Sequence, residues 1–198
     1  MKIYNFNAKE SNLEDFKYAY GPSANGRKKF TQLEDCIANF TPGETGHDDI
    51  FAYDYISMIT KKKYKSGVKF STKCNFVKFG APLLVFCNDF INEEDGTPIY
   101  QLHYEVVAYE KGINIWHIIP WPERTERPIK PTLIGKLEFD VAPDEIVDIK
   151  VEVKDKTITA DIGGHVVSCE HPDIPDEFHI GITACEGHNR FFDFIIEE

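Results

Sequence analysis

The chain has 198 residues, of which 42% are hydrophobic, enough for one large β-sandwich or two small domains with a sizeable core. Its 33 acidic and 22 basic residues give a formal net charge of −11, which argues against nucleic-acid binding and against docking on an anionic membrane surface. No run of about 18 apolar residues occurs, so no transmembrane helix is predicted, whereas a neutral or cationic ligand is compatible with the charge.

Segments with the composition of β-strands follow one another along almost the whole chain. β-Branched and aromatic runs are separated by Gly, Pro, Asn and Asp. The predicted strands span residues 2–6, 34–39, 50–60, 66–76, 82–88, 100–109, 113–119, 133–140, 147–154, 157–162, 165–169, 178–186 and 191–196. One helical turn or two is expected over residues 10–18, where Ser11 and Glu14 have capping-box spacing. This pattern predicts a single all-β domain over residues 1–198, built as a two-sheet antiparallel jelly-roll sandwich.

A proline-rich segment interrupts the strand pattern at residues 120–132. Proline cannot donate to a β-ladder, so the segment is not a central strand. Because strand patterning continues on both sides, we predict a long surface loop within one domain rather than a linker between two.

Two hairpins are predicted from their turns. In the first, residues 157–162 alternate between apolar and polar side chains before Gly163-Gly164 turns the chain back. In the second, residues 100–119, a two-residue turn at Lys111-Gly112 would pair Tyr109 with Asn114.

The second hairpin has two faces of different character. One face is apolar and is predicted to lie in the core: Leu102, Tyr104, Val106, Ala108, Ile113, Ile115 and Ile119. The other mixes polar and aromatic side chains: Gln101, His103, Glu105, Val107, Tyr109, Asn114, Trp116 and Ile118. Aromatic rings stack on sugar rings while carboxylates, amides and imidazoles pair with hydroxyls, so the mixed face is typical of a carbohydrate site. A solvated sheet surface is the alternative, and a three-residue turn would exchange the two faces.

Two further residues of this hairpin are considered for a role in the site. His117 falls on the core face and is expected to be a buried histidine with its hydrogen bonds satisfied, rather than a ligand. Glu110 could join Glu105 as a second catalytic carboxylate only if a β-bulge brought both to one face. Because Glu110 directly precedes the turn, we expect it to be solvated.

Two loops are candidates for the walls of the site. In the proline-rich loop, Trp121, Arg124 and Arg127 could cover the mixed face, or Trp121 could pack on the sheet edge with the charges solvated.

The second loop is the turn at residues 185–190, where polar groups crowd together. Glu186 and His188 could act as acid and base there, with Arg190 binding the ligand, or the turn could simply be polar. Cys185 is expected to be a small buried residue rather than a nucleophile.

No metal or cofactor motif stands out. The seven histidines show neither HxH nor HExxH spacing, and phosphate-binding and nucleophile-elbow motifs do not occur. The prediction is no cofactor and no metal, apart from a structural Ca²⁺ that Asp193 could hold against the first strand.

The five cysteines are odd in number and far apart in sequence, which argues against disulfides. The first residues carry no hydrophobic run typical of a signal peptide. The expected location is the cytoplasm.

The order of these features resembles the concanavalin A-like lectin/glucanase superfamily over about residues 1–198. The segments that carry the resemblance are residues 55–61, 80–86, 104–109, 180–184 and 190–194. The resemblance implies a jelly roll whose last strand returns beside the first. Glucanases of the superfamily use a Glu-x-Asp-x-x-Glu strand, whose glutamates match Glu105 and Glu110, whereas Val107 stands in place of the aspartate. The chain is also similar to uncharacterised bacterial members and to 3-keto-disaccharide hydrolase-like domains, which implies a site glutamate at Glu105.

Three functions remain open. The first is a glycoside hydrolase or lyase acting on a small glycoside, with Glu105 as acid/base assisted by His103 or His188. The second is a non-catalytic carbohydrate-binding module, and the third is an accessory subunit. The predicted ligand-binding residues are Gln101, Tyr109, Asn114, Trp116, Trp121, Arg124, Glu186 and Arg190. The predicted partner is a small molecule or an oligosaccharide, and the sequence does not indicate an oligomeric state.

Overall fold

The computed structural model describes residues 1–21, 28–42, 55–77, 79–124 and 128–198, and its regular elements are all strands. The strands are β1 (Lys2–Asn5), β2 (Phe16–Ala19), β3 (Thr31–Gln32), β4 (Ile37–Ala38), β5 (Ile56–Thr60), β6 (Tyr64–Lys65), β7 (Val68–Val77), β8 (Pro82–Cys87), β9 (Phe90–Asn92), β10 (Pro98–Tyr100), β11 (His103–Tyr109), β12 (Gly112–Pro120), β13 (Ile129–Glu138), β14 (Val147–Lys154), β15 (Thr157–Ile162), β16 (His165–Glu170), β17 (Glu177–Ala184), β18 (His188–Phe191) and β19 (Asp193–Glu197). No helix in these residues has the length and apolar character that crossing a membrane requires.

Two large antiparallel sheets form the sandwich. Sheet 1 has the order β16-β15-β14-β7-β18-β4-β3, and β19 pairs with both β7 and β1. Sheet 2 has the order β13-β12-β11-β8-β17-β5-β2, and the short strands β9 and β10 form a separate ribbon. The predicted all-β jelly-roll sandwich is confirmed, including a last strand that lies beside the first, since Tyr4 pairs with Phe194.

The main core lies between the two sheets and follows from period-two alternation. On β14, Ile149, Val151 and Val153 are buried and point toward the same cluster as alternate residues of β11. Phe86 of β8 stacks on Tyr104 of β11 with ring centroids 4.8 Å apart. Each fully buried side chain of this size contributes about 1.5–3 kcal/mol through loss of exposed apolar surface.

The register of the β11–β12 hairpin differs from the prediction by two residues. Tyr109 pairs with Gly112 and Val107 with Asn114, so the turn residues are Glu110 and Lys111. Gly112 is the first residue of β12 and pairs with Glu138 of β13. It is a glycine because it has a φ of 116° and because a Cβ there would lie 2.1 Å from the Leu137 carbonyl oxygen. Because side chains alternate with period two, a shift of two leaves the predicted faces unchanged. The other predicted hairpin is confirmed, with Ile162 paired to His165 around the two glycines.

Two predicted segments are corrected. Residues 10–18 form turns followed by β2 instead of a helical turn, because Phe16 packs edge-on against Tyr4 at 4.7 Å, a contact that a strand provides. The loop predicted at residues 120–132 is shorter at both ends, since β12 continues to Pro120 and β13 begins at Ile129. Pro131 is tolerated in β13 because this is the edge strand of sheet 2.

Other differences concern short strands. The predicted strand at residues 50–60 is observed from Ile56, and residues 50–54 lie outside the described part of the chain. The strands β3, β6, β9 and β10 were not predicted, because two or three residues are too few to show an alternating pattern.

Candidate functional site

A cavity of about 270 Å³ lies on the outer face of sheet 2, over β11, β12 and β13. Alternate residues of β11 and β12 form its floor, and loops beside β5, β8 and β17 form its walls. The lining residues are Gly21, Tyr55, Ala81, His103, Glu105, Val107, Tyr109, Asn114, Trp116, Ile118, Ile129, Pro131, Cys185 and Glu186. The structure therefore brings together most of the mixed face that the sequence predicts for the hairpin.

Glu105 is a carboxylate held in place within this cavity. Its side chain is nearly buried, with 6% of the residue exposed. The Tyr55 hydroxyl donates a hydrogen bond to Oε1 at 2.8 Å, and Nε2 of His103 lies 3.4 Å from the same oxygen. Burial of a charged carboxylate is unfavourable unless donors compensate for lost water, and these two groups do so.

The His103 ring is oriented by its other nitrogen. Nδ1 lies 2.9 Å from the Gln101 carbonyl oxygen, which only accepts hydrogen bonds, so Nδ1 carries a proton. The ring also stacks on Tyr100 with centroids 4.8 Å apart. Nε2 therefore faces the Glu105 carboxylate, with Oε1 3.4 Å away.

Tyr100 extends this ordered network away from the cavity. Its hydroxyl lies 2.6 Å from the Ser57 hydroxyl, which in turn lies 2.6 Å from that of Thr183. Burial raises the pKa of Tyr100 well above its ordinary value. Tyr100 belongs to a second apolar cluster on the outer face of sheet 2, together with Leu83 and Val85 of β8. This apolar cluster lies beside the cavity and shares Tyr55, Ala81 and Val107 with its lining.

Three residues of the hairpin present binding groups to the cavity. Asn114 lines the cavity, and its buried Oδ1 atom has no hydrogen-bond partner within the described residues. Trp116 and Tyr109 are half-buried and expose part of their rings. A β-bulge in the pairing with β13 falls between Ile115 and Trp116. Bulges re-aim side chains, and they occur often beside functional sites.

Glu186 brings a second carboxylate to the cavity from the turn after β17. It is exposed, so it lies toward solvent, whereas Glu105 lies at the buried floor. The backbone N–H of Ala81 donates to the Glu186 carbonyl at 3.1 Å, and that of Cys185 donates to the Ala81 carbonyl at 3.3 Å. The buried Asn189 side chain also donates to the Glu186 carbonyl at 2.7 Å, which fixes the turn.

Two predicted site residues at the same turn lie on sheet 1 instead of the cavity. His188 begins β18 and stacks on Phe40 with ring centroids 4.5 Å apart. The Arg190 guanidinium lies 5.6 Å from the centre of the same Phe40 ring. Both are separated from Glu186 by the change of direction at Gly187, which has a φ of 59°.

The other predicted ligand-binding residues also lie outside the cavity lining. Gln101 donates from its side chain to the Tyr100 carbonyl at 3.2 Å, and its own carbonyl orients His103. Trp121 is 42% exposed, and Arg124 is exposed in the same turn. Arg127 falls outside the described residues.

His117 occupies the core face, as predicted, but its ring is not fully satisfied. It packs against Tyr104 with centroids 5.1 Å apart, and burial lowers its pKa, an effect to which His171 adds. Its buried Nε2 has no hydrogen-bond partner among the described residues, contrary to the expectation of a satisfied histidine.

Asp193 is the residue for which a structural Ca²⁺ was considered. Its Oδ1 accepts a hydrogen bond from the Lys73 backbone N–H at 2.7 Å, and burial raises its pKa. The calcium site stays a prediction.

Tyr55 is a site residue that sequence reasoning missed. It precedes β5 and reaches Glu105 across 50 positions of the chain. The alternation of Tyr55, Ser57 and Ile59 would have placed it on the outer face, but nothing local pairs it with Glu105.

Comparison with known proteins identifies the fold. No protein-family model and no curated protein matches the sequence. Among solved structures, the carbohydrate-binding module CBM66 from Bacillus subtilis is 9% identical with a TM-score of 0.61, covering 94% of this chain and 98% of that one. A glycoside hydrolase family 16 endo-glucanase from Bacteroides ovatus is 9% identical with a TM-score of 0.59, covering 99% of each chain. β-Agarase A from Zobellia galactanivorans is 10% identical with a TM-score of 0.62, covering 98% and 88%.

This is the concanavalin A-like jelly-roll fold. The predicted fold class is thereby confirmed, and at these identities the likeness concerns the fold alone.

Within the concanavalin A-like fold, the glucanase-type strand pattern is only partly realised. Glu105 and Val107 both face the cavity, two residues apart on β11. Glu110 lies in the turn, and it is not among the residues that line the cavity. The second carboxylate that the cavity does contain is Glu186.

Proposed function

We propose that this protein is a carbohydrate-active enzyme, a glycoside hydrolase or lyase, that processes a small glycoside in the cavity on sheet 2. The observation that carries the proposal is the Glu105 carboxylate at the cavity floor, within 2.8 Å of the Tyr55 hydroxyl and 3.4 Å of His103 Nε2. A nearly buried carboxyl group coupled to an imidazole is suited to exchanging a proton with a bound ligand.

The character of the cavity supports a saccharide as the ligand. Trp116 and Tyr109 offer ring surface for stacking, while the Asn114 amide and the carboxylates offer polar groups for pairing with hydroxyls. The volume of about 270 Å³ suits a small ligand. The names of three proteins with this fold, a carbohydrate-binding module, an endo-glucanase and an agarase, are consistent with the choice.

In the proposed chemistry, Glu105 acts as the general acid or base. His103 and Tyr55 hold its carboxyl oxygen and balance its charge as the proton moves. Glu186 supplies the second carboxylate that glycoside hydrolysis commonly uses, either as nucleophile or as the base that activates water.

A non-catalytic carbohydrate-binding module is the second candidate, favoured by a specific observation. Val107 occupies the position of the aspartate in the glucanase pattern, and Glu110 is not among the residues that line the cavity. In that case Glu105 would serve as a fixed acceptor for ligand hydroxyls.

A glycan array and a panel of chromogenic and 3-oxo glycosides test the proposal, comparing wild type with Glu105→Gln. We expect turnover by the wild type, a loss of about 10²–10⁴-fold in kcat for Glu105→Gln, and retained binding. Glu110→Gln is the matched control, a glutamate in the turn after the same strand and outside the cavity lining, and it should behave as wild type.

Two outcomes would contradict the enzyme proposal. Binding without turnover by the wild type would leave the binding-module candidate in its place. If the wild type showed no binding and no turnover across the panel, a carbohydrate function for the cavity would be excluded.

We further propose that the protein works in the reducing cytoplasm. All five cysteines are free thiols. Burial raises the pKa of Cys36 to about 12, so this thiol stays protonated and unreactive at neutral pH.

A further inference from the structure

We propose that His117, His171 and Asp173 form a binding site for a divalent transition-metal ion, with zinc as the best fit. These residues, the rim cluster, lie where β12 of sheet 2 meets the turn that follows β16 of sheet 1. The inference does not depend on the proposed function, because His117 lies on the face of β12 opposite the cavity-lining residues Trp116 and Ile118.

The three side chains are close enough to share one ion. Each offers one ligand atom, and these atoms lie within 4.8 Å of one another. Tetrahedral zinc with bonds of about 2.0–2.1 Å places its ligands about 3.3 Å apart, so the ligand atoms must approach one another by up to about 1.5 Å. Asp173 is exposed and His171 half-buried on a turn, which gives both side chains freedom to rotate.

An unpaired buried nitrogen is the second, independent indication of a ligand. His117 is 8% exposed, and its Nε2 has no hydrogen-bond partner within the described ranges. Buried polar atoms in folded proteins nearly always have a partner, so an unpaired one needs an explanation. A metal ion bound between Nε2 and the adjacent His171 ring, 4.1 Å away between centroids, would satisfy it.

His171 has the outer support that metal-binding histidines usually have. Its Nδ1 lies 2.9 Å from the Tyr104 hydroxyl, which leaves Nε2 for the metal. When Nε2 coordinates, Nδ1–H donates to the Tyr104 oxygen, and a weak 3.4 Å contact from the Asp173 backbone N–H to Nδ1 is lost. Tyr104 is fully buried and stacked on Phe86, so it is a rigid support.

The turn that carries two of the ligands is anchored to sheet 1. The His171 backbone N–H donates to the Lys156 carbonyl at 3.0 Å. Lys156 in turn donates from Nζ to the Ile174 carbonyl and, at 2.9 Å, to Asp176. A metal at the rim cluster would therefore link this turn to sheet 2 and close the edge of the sandwich.

The donor set selects the metal. Two imidazoles and one carboxylate suit zinc and its first-row neighbours, whereas calcium and magnesium prefer oxygen ligands alone. With three protein ligands, water completes the tetrahedron.

The test uses the full chain after treatment with a chelator, titrated with Zn²⁺ by calorimetry and with Co²⁺ as a spectroscopic probe. We expect one equivalent of zinc, tetrahedral Co²⁺ absorption, and a Tm increase of about 5–10 °C at 100-fold excess over Kd. Asp173→Ala and His171→Gln should each lower zinc affinity by about tenfold or more, and Tyr104→Phe by about tenfold. His165→Gln is the matched control, since His165 is an exposed histidine outside the rim cluster that stacks on Phe139 at 3.9 Å. This variant should bind zinc with the affinity of wild type.

Asp173→Ala keeps the proposal falsifiable, because Asp173 is exposed and its loss should not prevent folding. The proposal is overturned if the wild type shows neither a zinc-dependent Tm increase nor the Co²⁺ spectrum. It is equally overturned if Asp173→Ala and His171→Gln bind zinc as tightly as wild type.

Discussion

At the scale of single residues, the position of Glu105 depends on two partners. Taking a carboxylate out of water costs several kcal/mol unless hydrogen bonds and opposite charge replace the lost hydration. Tyr55 and His103 provide that replacement at the cavity floor. The exposed ion pair of Lys111 with Asp140, by contrast, contributes little to stability because water already solvates both groups.

Removal of the Tyr55 hydroxyl should therefore lower stability through its effect on Glu105. We expect Tyr55→Phe to lower the free energy of unfolding by about 1–3 kcal/mol at neutral pH, because a buried charged acceptor loses its donor. Urea denaturation measures this change.

The control for this prediction is Tyr55→Phe made in a Glu105→Gln background. There the acceptor is uncharged, so the cost should be clearly smaller. An equal cost in both backgrounds would mean that the hydroxyl acts through other contacts.

At the scale of elements, the β11–β12 hairpin depends on one glycine. Gly112 has a φ of 116° in the strand, and its backbone lies against the Leu137 carbonyl, where a Cβ would be 2.1 Å from the oxygen. No side chain fits there without moving β13 away from β12.

Gly112→Ala should therefore destabilise the protein and disturb the cavity. Left-handed strain costs about 1–2 kcal/mol, and the backbone clash adds about 1–3 kcal/mol. Gly67→Ala is a matched control with a φ of 101° and no atom within 4 Å of the added Cβ, so it should show only the strain. Thermal unfolding of both variants checks this, and equal losses would show that the clash is relieved without cost.

The same hairpin shows how far sequence reasoning reaches. The alternation of side chains correctly separated the core face from the cavity face. A register error of two residues leaves every side chain on the same face of the sheet. The predicted register is wrong by two residues, because a glycine next to a lysine suggests a turn. The observed reason for the glycine is the close approach of the Leu137 carbonyl from β13, a contact that the local sequence does not show.

Contacts in the site between residues far apart along the chain could not be predicted from the sequence. Glu186 was identified from its turn, but nothing local shows that His188 then crosses to sheet 1. Tyr55 meets Glu105, and His171 meets His117, only through tertiary packing. The strand patterns therefore predicted the fold well, and predicted which residues meet in the site only within one hairpin.

At the scale of the whole molecule, stability should depend on pH through a buried histidine that lines neither proposed site. His179 of β17 is 8% exposed, and its Nδ1 lies 2.8 Å from the Thr60 carbonyl. Burial lowers its pKa, and the charges of Lys17 and Lys63 lower it further, although the Thr60 carbonyl opposes this.

The sign of the effect follows from proton binding. The unfolded chain has a histidine pKa of about 6.5, so as pH falls below that value the unfolded state takes up the proton first. The contribution of His179 to stability is therefore fully present above about pH 6.5 and is lost as pH falls toward the lower pKa of the folded protein.

Urea denaturation at pH 7.5 and pH 5.5 tests this for wild type and His179→Gln. We expect the wild type to lose more stability between the two pH values than the variant does. His165→Gln, at an exposed site, should keep the wild-type difference. An equal loss in wild type and His179→Gln would show that other groups account for the pH dependence.

The pairing of β8 has a consequence for the growing chain on the ribosome. Val85 pairs with Glu105 on one side and with Gly181 on the other. The side toward β11 can close soon after synthesis of the hairpin, but the side toward β17 must wait until residues 177–184 have emerged. During that interval a nascent chain exposes an apolar strand edge, the kind of surface that promotes misassembly. We therefore expect chains arrested before residue 177 to depend on chaperones and to aggregate, although most of the cavity floor is already encoded in them.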